Sequence, residues 1–398
     1  MFNISSDFIY LDYCATTPVD PSVLQLMLPY FSETYGNASS IYHRLGRRSA
    51  EAVEIAREQV AKLIHASPKE IVFTSGATEA INQALKGILY YYQHIGKHII
   101  TCSTEHPAVL DTCTFLSNQG AEITKLKTDH LGNISIDELH QAIRRDTILI
   151  CLMFANNETG VIHPIEQIGT IARKHNILFF CDATQAVGKV PVNVVDQGID
   201  MLALSAHKIY GPKGVGALYI KRRNNPIQVG ALFLGGKQEN NLRAGTLNVP
   251  GIVGLGAAAE MADRTQREES EKLKRLRDYL ETSLLTLPET SINGDSLNRL
   301  PHVSNICFRY IKGTEIMAQL PQLALSAGAA CASGSREPSH VLLSMGLKKE
   351  EAESALRFSL GRFTTKQQID YTIDSVRSTV SKLRTASPIW NMHEAGLI

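Results

Sequence analysis

The 398-residue sequence contains no apolar run that approaches the roughly 18 residues needed for a membrane-crossing helix. Its first ten residues carry Asp7 and lack the basic start and apolar core of a secretory signal, and they are not an Arg-rich amphipathic transit segment. These absences predict a cytoplasmic protein with no membrane partner. An excess of one charge is also missing. Forty Lys and Arg against 39 Asp and Glu leave a net +1, so nothing favours electrostatic capture of nucleic acid. Paired cysteines are missing as well. Seven cysteines, an odd number without a Cys-x-x-Cys spacing, argue against a disulfide framework and a zinc ribbon. Cys14, Cys102, Cys113, Cys151, Cys181 and Cys307 lie in or beside apolar segments and read as small core residues. There are no internal repeats or low-complexity linkers. The remaining composition, 44% hydrophobic and 20% charged, is that of a soluble globular chain long enough for two domains.

Near the N-terminus the pattern predicts a short strand at 8–11 and helices at 21–31 and 49–65. From residue 71 onward strands and helices alternate. Strands are expected at 71–74, 98–102, 122–126, 147–154, 177–182, 199–204 and 215–220, with helices at 75–92, 107–118, 137–144 and 165–175. This alternation predicts an α/β fold whose large domain holds a mostly parallel sheet covered on both faces, with ligands outside the carboxyl ends of the strands. Beyond Gly236 the character changes. A small-residue helix at 250–262 and a charged helix at 264–287 precede strands at 305–308 and 356–359 and helices near 314–324, 339–345 and 366–384. The expected division is a large domain at 15–262 and a smaller α+β domain made of 1–14 and 263–398.

Several polar residues follow the predicted strands closely and should therefore cluster. Lys208 ends the apolar run 199–204 after Ser205 and His207. A lysine buried there has its pKa lowered by desolvation and becomes a candidate Schiff-base nucleophile. Asp182 ends a fully apolar strand, with Gln185 one turn onward, and a carboxylate so placed needs a cationic or hydrogen-bonding partner unless it caps a helix. Gly76-Ala77-Thr78 opens a helix and could cradle a phosphate, although an ordinary N-cap has the same look. His106 could stack on an aromatic ligand or shuttle protons, and Asn157 could bond a ligand oxygen. A carboxylate for a pyridinium nitrogen and a lysine for an aldehyde are what pyridoxal 5'-phosphate requires of a protein.

Nine of the ten residues at 326–335 are Ser, Ala or Gly; the tenth is Cys331. Such a segment buries no side-chain core and is expected to be a mobile loop, spanning about 326–337, that offers a thiolate nucleophile. Arg357 and Arg362 both belong to an alternating segment, and either could grip a carboxylate with paired hydrogen bonds. Periodicity does not choose between them.

Nine stretches, in order, carry a family resemblance: YLDYCATTPVDP, EIVFTSGATEA, TEHPAVLDTC, NNETGVI, CDATQAVGK, SAHKIYGPKG, RAGTLNV, CASGSREPSHVL and RFSLGRFTT. From about Tyr10 to Met392 the chain resembles the pyridoxal-phosphate-dependent cysteine desulfurases of the class V aminotransferase type, in their housekeeping iron–sulfur branch. The resemblance implies an aspartate-aminotransferase-like fold. It implies Lys208 as Schiff-base lysine and proton carrier, Asp182 on the pyridinium nitrogen, Gln185 on the phenolic oxygen, and His106 against the ring. Ala77, Thr78, Ser205 and His207 would hold the phosphate, and Thr246 would reach the phosphate of the other subunit of a homodimer. Asn157 and Arg357 would hold the carboxylate of L-cysteine. Cys331 would take the sulfur and could transiently ligate a nascent iron–sulfur cluster; no resident metal is implied. The sulfur would pass to acceptors such as an iron–sulfur scaffold protein, with tRNA thiolation a second destination. Relatives carry a longer tail for scaffold docking, and here the sequence stops soon after Trp390, so catalysis is the firmer expectation. A selenocysteine lyase or aminotransferase of the same fold is the nearest alternative. Transamination needs no mobile thiol, and a catalytically silent scaffold relative would need a broken site.

Overall fold

The computed structural model describes residues 8–327 and 337–397. Cys331 and most of the predicted loop therefore lie outside the described residues. Seven strands form the central sheet in the order β2 (Ile71–Thr74), β8 (Gly216–Ile220), β7 (Met201–Ser205), β6 (Leu178–Asp182), β5 (Thr147–Met153), β3 (His98–Cys102) and β4 (Glu122–Leu126). Pairs β3–β4, β3–β5, β5–β6 and β6–β7 are parallel, whereas β8 runs antiparallel to both β2 and β7. Every residue of β5, β6, β7 and β8 is buried, as expected of strands covered on both faces. One face packs on α4 (Ala77–Tyr92) and α5 (Pro107–Ser117) through Leu85, Ile88 and Val109. The other packs on α3 (Arg44–Leu63), α7 (Ile165–Lys174) and the start of α8 (Val249–Leu284) through Val60, Ile168 and Leu255.

The single residue Gly216 organises one edge of this sheet. It lies opposite both Thr74 at the end of β2 and Ser205 at the end of β7, so two carboxyl ends meet there. A Cβ on Gly216 would fall 2.7 Å from Gly76 Cα and 2.5 Å from the Leu204 carbonyl oxygen, so only glycine permits this approach.

A second core, with Leu280, Phe308, Leu356 and Val376, surrounds the antiparallel sheet β12 (Ala355–Ser359)–β10 (Val303–Phe308)–β9 (Thr290–Ile292). The N-terminal strand β1 (Ile9–Tyr10) pairs with β11 (Leu323–Ala324) beside it. Three local expectations are corrected. The helices expected at 250–262 and 264–287 are one 36-residue helix, α8, because the change from small to charged residues contains no helix breaker. Its first half contributes to the large-sheet core and Leu273, Leu280 and Leu284 to the small one. The helix expected at 21–31 is divided at Pro29, which opens a second short helix, Pro29–Ser32. The helix expected at 314–324 is Gly313–Gln319, and β11 follows it.

Candidate functional site

A cavity of about 510 Å³ opens at the carboxyl ends of the parallel strands. Ala77, Thr78, His106, Asn157, Asp182, Gln185, Ser205, His207 and Lys208 all line it, each at or just past the end of a strand. Asp182 is the last residue of β6 and only 6% exposed. Its Oδ1 accepts from the Thr184 backbone N–H at 3.0 Å and from Thr184 Oγ1 at 2.5 Å, and no described residue donates to Oδ2. This pairing fixes the carboxylate at the cavity wall.

Lys208 closes the short turn Ala206–Lys208 that follows β7. Its Nζ donates to the carbonyls of Cys14 at 2.5 Å and Ala15 at 2.8 Å, and Gln185 Nε2 donates to the same Cys14 carbonyl at 3.0 Å. Burial lowers the Lys208 pKa to about 8, with nearby Arg357 acting in the same direction. The amine is thus far closer to its nucleophilic form than an exposed lysine would be. The His207 pKa is lowered to about 4, first by desolvation and then by Lys208 and Lys213, so its ring is neutral; Nδ1 lies 3.1 Å from Thr16 Oγ1. His106 caps α5, and its Nδ1 accepts the Ala108 backbone N–H at 3.1 Å. The neutral ring therefore carries its proton on Nε2. Desolvation lowers the His106 pKa, which favours that neutral form.

The N-terminus of α4 has no capping side chain. Its N-cap, Gly76, has φ 155° and ψ 178°, a conformation that residues with a Cβ rarely adopt, and a Cβ there would stand 3.7 Å from Ser205 Oγ. The first turn of α4 lines the cavity beside Ser205 and His207, an arrangement suited to a phosphate.

Two expected site residues are placed differently. Arg357, in β12, is buried behind the cavity wall, where Nη1 donates to the Asn157 carbonyl at 2.8 Å and Nη2 to Asp12 Oδ1 at 2.6 Å. Arg362 points instead to Asp20 and Glu269, so the structure separates the two arginines that periodicity left equal. Thr246 is exposed and does not line this cavity. Sequence reasoning missed Thr184, Lys213, Glu105 and Glu158. Glu105 is buried at the N-terminal side of His106, with its pKa well raised by desolvation, and Oε1 accepts the Met153 N–H at 2.7 Å. An acidic residue beside a predicted strand end was the available signal for both glutamates. Among the described residues no cluster of His, Cys, Asp and Glu could hold a metal, and no helix is long and apolar enough to cross a membrane.

Residues 9–372 match the family model of the class-V aminotransferases. The protein named cysteine desulfurase IscS from Anaeromyxobacter sp. (strain Fw109-5) is 50% identical over 390 residues, covering 98% of this chain and 96% of its own. The chain belongs to the class-V aminotransferase family, in its cysteine desulfurase branch. Among solved structures, a NifS-like protein superposes with a TM-score of 0.88 at 36% identity, covering 94% of this chain and 99% of its own. The protein SspA, solved in complex with cysteine, superposes at 0.79 with 38% identity over 90% of this chain and 100% of its own. The family depends on pyridoxal 5'-phosphate, and the cavity fits that group. Uncapped amides of Ala77 and Thr78 suit its phosphate, the fixed carboxylate of Asp182 suits its ring nitrogen, and the low-pKa amine of Lys208 suits its aldehyde.

Proposed function

We propose that this chain is a cysteine desulfurase that removes sulfur from L-cysteine, releases L-alanine and carries the sulfur as a persulfide on Cys331. The observation that carries this reading is the meeting of Asp182, Lys208 and the open α4 N-terminus at one cavity, with the buried Arg357 guanidinium against the Asn157 backbone. The identity to proteins named cysteine desulfurase supports it.

In this reading the amides of Ala77 and Thr78, with Ser205 and His207, hold the phosphate of the cofactor. Asp182 would meet its ring nitrogen, Gln185 its phenolic oxygen, His106 its face and Lys208 its aldehyde carbon. When bound, the cofactor supplies an electron sink for the bonding pair at the substrate α-carbon. Asn157 and Arg357 would orient the substrate carboxylate, for which Arg357 would exchange its bond to Asp12. Lys208 Nζ moves the proton at the substrate α-carbon, and His106, with its proton on Nε2, is placed to exchange one with the departing group. The Cys331 sulfur attacks the substrate sulfur: an S–S bond forms, the C–S bond breaks, and the electron pair remains with carbon. The substrate CH2 becomes CH3 as it takes up a proton. One enzyme thiol and one cysteine thus give one enzyme persulfide and one alanine, with no external oxidant.

The protein acts as a homodimer in which Thr246 of each chain serves the other chain's phosphate site. Its exposure away from its own cavity supports this, as do the exposed Leu234 (88%) and Tyr42 (94%). The large unit is 15–262 and the small unit comprises 1–14 and 263–398, a reading supported by the two separate cores. Cytoplasmic acceptors, an iron–sulfur scaffold protein among them, receive the sulfur. Mass spectrometry after incubation with L-cysteine tests the proposal: one added sulfur mapped to Cys331 is expected. Normal sulfide release by Cys331→Ser would overturn it.

A further inference from the structure

The chain on either side of residues 328–336 is tied to neighbouring points of one motif. On the N-terminal side, Ser326 pairs with Arg357 in an antiparallel bridge, in which the Arg357 N–H donates to the Ser326 carbonyl at 2.7 Å. Arg357 in turn donates to the Asn157 carbonyl. On the C-terminal side, Ser339 Oγ donates to Glu158 Oε2 at 2.5 Å, and His340 Nε2 lies 3.0 Å from the Glu105 carbonyl, to which it must donate. Asn157 and Glu158 are consecutive, so the Arg357 and Ser339 ties end on adjacent residues, while His340 adds a contact to Glu105.

The Glu158 side is built rather than incidental. Glu158 is 2% exposed and Ser339 1% exposed, which makes their hydrogen bond one between a buried carboxylate and a buried hydroxyl. The Glu158 N–H donates to Asn156 Oδ1 at 2.8 Å, and its carbonyl accepts from Asn305 Nδ2 of β10 at 3.3 Å. The Glu158 backbone is therefore held from both the large and the small sheet regions, and its carboxylate by Ser339. Ser339 Oγ also accepts the Leu342 N–H at 3.2 Å and so caps the short helix His340–Ser344. One hydroxyl thus couples a helix start to the residue beside Asn157.

We infer that Glu158 and Ser339 are positioning residues for the sulfur-transfer step. They fix the point at which the Cys331-bearing segment rejoins the fold, relative to the arginine that orients the substrate. This inference rests on the desulfurase reading above. Cofactor binding and entry of cysteine use the cavity wall and do not require this tie; the attack of one sulfur on another requires the two chains of atoms to meet. Loss of one tie lowers the effective concentration of the nucleophile at the substrate sulfur, and small misplacements of reacting groups cost on the order of a hundredfold in rate.

The test uses the cofactor-loaded, full-length protein with Ser339→Ala and Glu158→Gln. Three quantities are compared with wild type: the visible spectrum, the rate at which it changes on adding L-cysteine, and the single-turnover rate of persulfide formation read by mass spectrometry. In Ser339→Ala the first two should be unchanged, and the third should fall about ten- to a hundredfold. Glu158→Gln keeps an oxygen acceptor for Ser339 and should fall less; it also decides the matter if Ser339→Ala does not fold. Ser339→Thr, which restores the hydroxyl, should recover most of the rate. Wild-type persulfide rates in both variants, or an equal fall in the spectral rate, would reduce the tie to packing and overturn the inference. A wild-type enzyme that forms no persulfide would instead overturn the desulfurase reading itself.

Discussion

Arg57 and Glu239 face each other through two parallel hydrogen bonds of 2.8 Å, Nη1 to Oε2 and Nη2 to Oε1. Glu239 Oε2 also accepts the Phe73 N–H of β2 at 2.8 Å. Glu239 begins a run of left-handed residues, with φ of 47°, 55° and 68° at Glu239, Asn240 and Asn241. Asparagine tolerates that region and glutamate rarely occupies it, so the buried ion pair offsets the strain at Glu239. Glu239→Ala leaves the buried Arg57 guanidinium only the exposed Glu54 carboxylate, and a loss of about 2–4 kcal/mol in urea unfolding is expected. Glu239→Gln should cost less. An unchanged unfolding midpoint in Glu239→Ala would refute this assignment.

Lys208 should reveal its lowered pKa in the rate at which the cofactor-free protein captures pyridoxal phosphate. The neutral amine is the nucleophile, so the rate of colour development should rise with pH through about 8 rather than through 10.5. Stopped-flow absorbance across pH 6 to 10 measures it, in steps of roughly half a unit. A midpoint near that of an exposed lysine would contradict the desolvated setting.

Acid should destabilise the fold through His163. Among the described residues neither ring nitrogen of His163 has a hydrogen-bond partner, and burial lowers its pKa from 6.5 to about 4. Above pH 6.5 the ring is neutral in both folded and unfolded chains. As pH falls from 6.5 towards 4, the unfolded chain takes up a proton that the folded one refuses, and stability is lost. The span corresponds to roughly 3 kcal/mol. His163→Leu should flatten that part of the stability profile, and chemical unfolding at pH 7 and pH 4.5 reads the difference.

Asp182→Asn should keep the cavity wall and lose the negative charge expected at the cofactor ring. Turnover of L-cysteine should fall on the order of a hundredfold or more, while the folded stability stays near wild type. Comparable kcat values would remove Asp182 from its proposed role.

Much of this site was legible because its residues announce themselves by position. Asp182, Lys208 and His106 each follow an apolar strand, and parallel sheets gather such ends at one edge. Glu158 and Ser339 were not legible. Their contact joins residues 181 apart in sequence, which neither periodicity nor turn chemistry encodes. The arginine ambiguity was of the same kind: alternation assigns a face, but only the packing of β12 places Arg357 against Asn157 and Arg362 against Asp20 and Glu269. In the fold, α8 was misread as two helices because a change of composition looks like a boundary. Its backbone crosses that change unbroken, since what changes at residue 263 is the neighbouring core and not the helix propensity.

That continuity has a mechanical meaning. At 1.5 Å per residue, 36 residues make a rod of about 54 Å, anchored at one end beneath the cofactor sheet and at the other within the core behind Arg357. A push on the far core is transmitted along the rod as leverage and is not absorbed at a joint. An unbroken α8 thus sets the spacing of the two cores, and under the proposed chemistry any travel needed for sulfur delivery is left to chain outside it.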